Sequence, residues 1–190
     1  MVRLAGREET GAVGALLWYP DHTIQHAGII LGHGGIAGHA FAGETSAYDL
    51  GSFPGEVCGE THNVSAVTGA CLMLRREVYL KAGGMDEDLA VTFNDVDLCM
   101  RLRRDGRKIL MCPAAQLLHN ESVSRGEEDT PEKVERFHRE IGIFAGRWER
   151  ELEEGDPFYN PNLSLTGRSW TCRDELRERV KPYRAYMRFV

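Results

Sequence analysis

Short apolar runs separated by helical patterns are the feature that most constrains the fold of this chain. These runs predict buried strands over 13–17, 67–74 and 108–112, and a further strand is expected over 23–31. Helical patterns lie between the second and third runs, where glycine ends each helix. Strands that alternate with helices indicate an α/β protein, here with a mixed sheet.

A long amphipathic helix is predicted over 131–153. Thr130-Pro131 is a typical start, because proline fits the first helical turn, where its missing N–H is not needed. The apolar residues at helical spacing are Val134, Phe137, Ile141, Phe144, Trp148 and Leu152. We expect this face to pack on the sheet. Past Gly155 the chain is expected to be extended, with a last short helix over 173–180.

The segment 32–63 is rich in glycine, histidine and serine and has no clear period, which predicts a long loop of weak intrinsic order. Within it, "GHGGIA" at 32–37 formally matches the G-x-G-x-x-A dinucleotide fingerprint, but that fingerprint needs a helix directly after it. More glycines follow, so we expect a flexible loop. The scattered histidines are expected to be ordinary polar surface: His22, His26, His33, His39 and His62.

Charge and composition argue against several classes of function. The net charge of −6 argues against a nucleic-acid binder, which normally carries a basic face. No apolar run is long enough to span a bilayer, and the first residues lack the apolar segment of a signal peptide. The five cysteines form no C-x-x-C pair, so a zinc site is not expected. Cys71, Cys99 and Cys112 lie in apolar patterns, which predicts reduced core thiols of a cytosolic protein.

Two aspartates lie at the start of the helical pattern 95–105. Asn94 is a good N-cap residue, and Asp95 and Asp97 would then lie near the positive end of the helix dipole. On that interpretation the acids only stabilise the helix. The other interpretation is that one carboxylate is a catalytic base beside a cleft. These residues alone leave both interpretations open.

Metal binding is a further candidate role for residues in this part of the chain. "DVD" at 95–97 matches the D-x-D pattern with which many nucleotide-sugar enzymes hold a divalent cation. Residues two apart at a helix start point in different directions, which disfavours a shared metal site. His119 follows Leu117-Leu118, and taken alone such a histidine is more often structural and hydrogen-bonded than a ligand.

Several longer strings, taken in order, resemble glycosyltransferase family 2. They are TGACL at 68–72, GGMDE at 83–87, FNDVDLC at 93–99, LHNESVSRG at 118–126 and DPFYNPNLSL at 156–165. The match runs from about Gly11 to Leu165 and closely resembles the C-terminal half of bacterial transferases that build surface polysaccharides.

The resemblance implies a partial GT-A fold, a Rossmann-like α/β sandwich with a mixed sheet that lacks the N-terminal nucleotide-binding half. Residues 1–155 would form the acceptor and catalytic-base half of the domain, and 156–190 an extended tail with a short helix. The family's nucleotide-binding strands and their D-x-D have no match before Gly11. We therefore expect a piece of a larger enzyme that is inactive alone.

Site residues are carried over from the family position by position. Asp95 matches the catalytic base, and His119 matches a histidine that completes the divalent-metal shell in several members. The residues that match the acceptor-binding stretch, or the position before the base, are Thr68, Gly69, Ala70 and Asn94. Because an amide cannot titrate, Asn94 is expected to position groups and not to act as a base.

The function implied is inverting transfer of a sugar from a nucleotide-sugar to a hydroxyl of a glycan or lipid-linked acceptor, in cell-surface polysaccharide synthesis. Mn²⁺ or Mg²⁺ is the implied cofactor, and the implied location is the cytoplasm, at the inner face of the membrane. One alternative is a non-catalytic half-fold that either binds glycan or associates with another copy through an exposed sheet edge. Another is a metal-dependent hydrolase that uses Asp95 and Asp97 together.

Overall fold

The computed structural model of the chain describes residues 1–44, 59–120, 130–167, 171–174 and 182–187. Its strands are β1 (Thr10–Trp18), β2 (Ile24–His26), β3 (Ile29–Leu31), β4 (Ala37–His39), β5 (His62–Asn63), β6 (Leu72–Met73) and β7 (Lys108–Leu118). Its α-helices are α1 (Val2–Ala5), α2 (Arg76–Lys81), α3 (Asn94–Arg104), α4 (Pro131–Arg147), α5 (Glu149–Glu154) and α6 (Pro182–Tyr186).

The centre of the molecule is a mixed five-stranded sheet. Its strand order is β2-β1-β7-β5, and β6 also pairs with β1. β1 and β7 run parallel, whereas β2, β5 and β6 are antiparallel to their neighbours. The mixed sheet confirms the predicted α/β class, and β1 and β7 contain the strands predicted over 13–17 and 108–112.

The strand predicted over 67–74 is wrong for most of its length. Only Leu72–Met73 is a strand, and a single turn of 3₁₀ helix, Gly69–Cys71, precedes it. The Gly69 N–H is bonded to the carboxylate of Asp95, so it is not available to a β ladder. Val67 instead packs directly on β1 at Gly14, where an added Cβ would lie 2.5 Å from the Val67 Cβ.

β7 continues through Pro113, which the sequence pattern wrongly placed at its end. The register with β1 shifts at this point, since Ala15 pairs with Cys112 and Leu16 pairs with Gln116. Proline has no N–H to give to a ladder, but a bulge does not require one. The strand therefore extends to Leu118 and brings His119 beside the end of β1.

The strand predicted over 23–31 is divided at Gly28, whose φ of 106° is in the left-handed region that favours glycine. β2 stays in the main sheet, while β3 pairs with β4 in a separate hairpin. The loop predicted from residue 32 is therefore wrong at its start, because "GHGGIA" is the hairpin turn and the beginning of β4. Residues 45–58 lie outside the described residues, and the weak order expected of the long loop stays a prediction.

The predicted helix over 131–153 is confirmed as part of the core, with a break at Trp148 that divides it into α4 and α5. Thr130 caps it as expected, since its Oγ1 accepts the N–H of Lys133 at 3.4 Å. Ile141, Phe144 and Trp148 are completely buried, and Leu152 is nearly so. Val134 is the exception on this face, because it is 39% exposed.

The cysteine predictions hold for two thiols in the interior. Cys99 and Cys112 are buried and free, and burial raises the pKa of the Cys99 thiol to about 12. Cys71 is free but only half-buried. Within the described ranges, no helix is both long and apolar enough to cross a bilayer. Most of the short helix predicted over 173–180 lies outside the described residues, which instead include α6.

Candidate active site

Asp95 lies in the first turn of α3 and joins this helix to the turn at residues 68–70. Its Oδ2 accepts the N–H of Gly69 at 2.6 Å, and its Oδ1 accepts the N–H of Val96 at 2.8 Å. The Asp95 side chain is half-buried, and Gly69 and Ala70 are exposed. The structure therefore brings the candidate base and the candidate acceptor-binding turn together at the surface.

The helix start differs from the predicted one. Phe93, with a left-handed φ of 60°, holds the N-cap position, and Asn94 is already helical. The Asn94 Nδ2 donates to the carbonyl of Ala90 at 3.4 Å, and no side chain caps the helix. The predicted N-cap role of Asn94 is thus wrong, and the residue lies directly beside Asp95 in the first turn.

The turn at 68–70 is fixed from two sides. Within the turn, Thr68 Oγ1 accepts the N–H of Ala70 at 3.3 Å. From the interior, the ring of His26 accepts the Thr68 N–H through Nε2 at 3.3 Å. Two consecutive backbone amides of the turn are therefore held by side chains, one by His26 and the next by Asp95.

His26 is completely buried, so the expectation of ordinary polar surface is wrong for this histidine. Its ring packs edge-on against His39 with 4.8 Å between the ring centroids. Burial, and to a lesser degree the neighbouring His39, holds the pKa of His26 well below its ordinary value of 6.5. The ring is therefore neutral at neutral pH, which it must be to accept a hydrogen bond through Nε2.

His119 follows β7, and its backbone N–H donates to the carbonyl of Trp18 at 2.9 Å. Its Nδ1 lies 2.7 Å from Gln25 Oε1, and Gln25 Nε2 lies 3.5 Å from the His119 carbonyl. The second contact orients the amide, because only its nitrogen can donate to a carbonyl. Its oxygen then faces the ring, so Nδ1 donates in this contact, and in the neutral ring Nε2 is the nitrogen with the lone pair.

This tautomer of His119 fits a metal ligand, because neutral imidazole binds divalent cations through such a lone pair. It is, however, a single donor. Among the residues that the structure describes, no group of three His, Cys, Asp or Glu side chains converges on one point. A complete site would need further ligands from elsewhere, and metal binding by His119 stays a prediction.

Asp97 has a structural role that excludes the shared metal site. Its side chain is completely buried and accepts three bonds at 2.7–2.9 Å, from Arg101 Nε, Arg147 Nη1 and Trp148 Nε1. The D-x-D interpretation and the hydrolase that uses Asp95 with Asp97 are therefore wrong. The interpretation of Asp97 as a simple helix-start acid is also incomplete, since its carboxylate joins α3 to α4.

The same cluster holds the segment that leads into the site. Arg147 also pairs with Asp86 at 2.6 Å, and the hydrogen bonds that it donates to Asp97, and then to Asp86, raise its pKa. The guanidinium of Arg101 donates to the carbonyls of Ala82 and, at 2.7 Å, Gly84. Asp97 thus fixes two arginines that hold the GGMDE turn upstream of α3.

Glu140 is a site-supporting residue that sequence reasoning missed. It lies on the apolar face of α4, is completely buried, and its Oε2 accepts the N–H of Thr92 at 2.6 Å. This bond anchors the backbone just before Phe93 and Asp95. An acidic residue among the core positions of the amphipathic pattern was the signal that could have found it. The polar pair Gln25-His26 inside an apolar strand was a similar signal.

The sequence of the chain is similar to a protein family and to several known proteins. The family model described as "Glycosyltransferase like family 2" matches residues 39–141, which include the 68–70 turn, Asp95 and His119. An uncharacterized protein of Sinorhizobium fredii, y4gI, is 46% identical over 172 residues, which is 87% of this chain and 18% of that protein. The O-antigen biosynthesis protein RfbC of Myxococcus xanthus is 37% identical over 171 residues, 87% of this chain and 12% of that protein.

A third relative is the N-acetylglucosaminyl-diphospho-decaprenol L-rhamnosyltransferase of Mycobacterium tuberculosis. It is 32% identical over 94 residues, 47% of this chain and 30% of the transferase. The chain thus spans less than a fifth of the first two relatives. The mixed α/β sheet is that of a partial GT-A domain, and the matched segment covers more than half of the chain. The chain belongs to the glycosyltransferase-like family 2.

Proposed function

We propose that this chain is the acceptor-side part of an inverting glycosyltransferase of cell-surface polysaccharide synthesis, with Asp95 as the catalytic base. The observation that carries the proposal is the half-exposed carboxylate of Asp95, held 2.6 Å from the Gly69 N–H at the exposed 68–70 turn. An acceptor hydroxyl at this turn would lie within reach of the same carboxylate.

The chemistry assigned to Asp95 is removal of a proton. A neutral hydroxyl is a poor nucleophile, so Asp95 accepts the acceptor's O–H proton as the oxygen attacks the anomeric carbon. The bond between that carbon and the donor's diphosphate breaks as the diphosphate leaves on the opposite face. The configuration at the anomeric carbon is therefore inverted. The bonds from Gly69 and Val96 fix the carboxylate in one orientation, so less of its motion has to be lost in the reaction.

The remaining residues bind and orient. Thr68, Gly69 and Ala70 line the acceptor side, and Asn94 keeps Asp95 at the helix start. His119 would hold a divalent cation, Mn²⁺ or Mg²⁺, through Nε2 together with ligands outside the described residues. Such a cation supplies Lewis-acid stabilisation of a departing diphosphate when bound. The donor is a nucleotide-sugar, the acceptor is a glycan or lipid-linked hydroxyl, and the reaction takes place at the cytoplasmic face of the membrane.

The experiment that tests this proposal uses the whole protein that carries this segment, with its glycan product assayed. Asp95→Asn keeps the size and shape of the side chain but removes its basicity, and its single oxygen can accept only one of the two N–H bonds that the carboxylate accepts. We expect transfer to fall by roughly 10²–10⁴-fold with little change in donor affinity. Asp88→Asn is the matched control, because Asp88 is exposed in the same part of the chain. Full activity of Asp95→Asn would exclude Asp95 as the base and favour the non-catalytic, glycan-binding alternative.

A further inference from the structure

We propose that His26 is a positioning residue that holds the acceptor-binding turn in the orientation that Asp95 needs. The proposal rests on the proposed function, since it concerns the same turn and the same base. His26 touches neither Asp95 nor the exposed atoms of the turn through any bond found in the described residues. Its action is exerted through the backbone of Thr68.

The geometry of the turn carries the first step. Thr68 and Gly69 are consecutive, and their N–H groups point to acceptors on opposite sides: His26 in the interior and Asp95 toward the surface. The Thr68 N–H belongs to the peptide plane before Thr68 and the Gly69 N–H to the plane after it, so each of the two bonds holds one plane. Loss of the interior bond leaves the Thr68 N–H without its acceptor and frees the turn to rotate away from Asp95.

The second step is the chemistry of the ring. Nε2 can accept from Thr68 only if the proton is on Nδ1. Nδ1 is buried and has no hydrogen-bond partner among the described residues; the nearest aromatic ring is the edge-on His39. A buried donor without an acceptor is unfavourable, and an apolar side chain at this position would avoid it. The bond to Thr68 is the feature of His26 that an apolar residue could not supply.

The third step is the place of His26 in the fold. It lies at the end of β2, whose pairing with β1 places the ring beneath the turn. The preceding residue, Gln25, holds the ring of His119. One short strand therefore contacts both the acceptor-binding turn and the candidate metal ligand, so a shift of β2 would misplace both.

The first experiment measures the wild-type 190-residue chain. Nitrogen chemical shifts of the His26 ring, from a long-range ¹H–¹⁵N correlation, report which nitrogen carries the proton. We expect the neutral form with the proton on Nδ1. A ring protonated on Nε2, or on both nitrogens, at neutral pH would overturn the proposal, because Thr68 would then have no acceptor. This measurement needs no variant and no activity.

The second experiment compares two substitutions by amide hydrogen exchange. His26→Phe keeps the ring but removes the acceptor, whereas His26→Gln places an amide oxygen near the position of Nε2. We expect the Thr68 and Gly69 amides to exchange about tenfold faster in His26→Phe, as for the loss of one ordinary hydrogen bond. In His26→Gln we expect their protection to return to that of the wild type. Amides of the central β1–β7 pair should be unchanged. His62→Phe is the matched control, because the His62 ring bonds the carbonyl of Glu60 and not β2 or the turn, and it should leave both turn amides protected.

Three outcomes of the exchange experiment would overturn the proposal. They are unchanged turn amides in His26→Phe, equal effects of both substitutions, and a uniform loss of protection throughout the sheet, which would mean that His26 only stabilises the fold. If His26→Phe does not fold, the measurement of the His26 ring nitrogens decides.

In the whole protein, His26→Phe should lower kcat about tenfold without changing the donor KM. Failure of the proposed function can be distinguished from failure of this proposal. The activity of Asp95→Asn tests the proposed function, whereas amide exchange in the turn tests the role of His26.

Discussion

Asp95 and Asp97 are two positions apart in α3, yet their carboxylates contact different parts of the molecule. Asp95 bonds the exposed turn through Gly69, and Asp97 is buried against Arg147 and Trp148 of the α4–α5 junction. The helix direction explains the difference, because residues two apart face about 200° away from each other. The pair therefore combines a surface acid suited to chemistry with an interior acid that holds the framework.

The first prediction separates these two roles by stability. Asp97→Asn removes the charge from a completely buried carboxylate paired with Arg101 and Arg147, whose side chains are 25% and 32% exposed. We expect the free energy of unfolding to fall by about 2–4 kcal/mol, somewhat less than for a fully buried pair because solvent screens the guanidinium groups. Asp95→Asn should change it by less than about 1 kcal/mol. Urea unfolding of the chain measures both, and equal losses would contradict the division of roles.

The second prediction concerns Glu140 of α4, whose carboxylate accepts the backbone N–H of Thr92. Glu140→Ala removes the acceptor of the Thr92 N–H, bonded at 2.6 Å, and leaves that donor unpaired. We expect a loss of about 1–3 kcal/mol in unfolding free energy and faster exchange of the Thr92 amide. Glu135→Ala, on the exposed face of the same helix, should change stability by no more than about 0.5 kcal/mol. Retained protection at Thr92 would show that the loop before Phe93 is held by other contacts.

The third prediction is a loss of stability in mild acid. Burial keeps the pKa of His26 well below 6.5, and burial also lowers the pKa of the His33 ring. Below about pH 6.5 the unfolded chain binds protons at these rings that the folded chain does not, so stability falls as pH falls. The slope approaches about 1.4 kcal/mol per pH unit for each such ring.

The measurement is the unfolding free energy between about pH 7 and about pH 5. Burial raises the pKa of Asp156 from 3.8, so this group has an effect of the opposite sign, which the comparison of wild type with His26→Gln cancels. His26→Gln should remove one ring's share of the slope. An unchanged slope in this variant would mean that His26 is already protonated in the folded chain.

The sequence predicted those elements whose burial pattern is local. The periodic face of 131–153 and the apolar runs of β1 and β7 were sufficient to predict these elements. The order of apolar and polar residues within each element indicates which of its residues are buried. The extension of β7 through Pro113 was not predicted. It depends on the register of a neighbouring strand almost a hundred positions away, which no local pattern contains.

The candidate site residues were predicted from the sequence, but the residues that hold them in place were not. Resemblance identified Asp95 and the turn that contacts it, whereas the roles of His26 and Gln25 depend on bonds to residues 42 and 94 positions away. The polar pair Gln25-His26 in an apolar strand signals a buried polar group but not the partner of that group. Only the fold, which places Thr68 against His26, identifies the partner.

The last prediction concerns ligands of the isolated chain. His119 offers one imidazole, and the described residues contain no group of three or more His, Cys, Asp or Glu side chains that could complete a metal site. We expect Mn²⁺ to bind with a dissociation constant on the order of millimolar or weaker, because a single neutral nitrogen is a sparse site. A nucleoside diphosphate added with Mn²⁺ should show little binding in calorimetry. Paramagnetic broadening by Mn²⁺ should still affect the His119 ring first, and His119→Ala should abolish that broadening while His62→Ala leaves it. Micromolar affinity for the nucleotide with Mn²⁺ would show that the donor site is formed within this chain, and the expectation that the chain needs a further half to bind its donor would then be wrong.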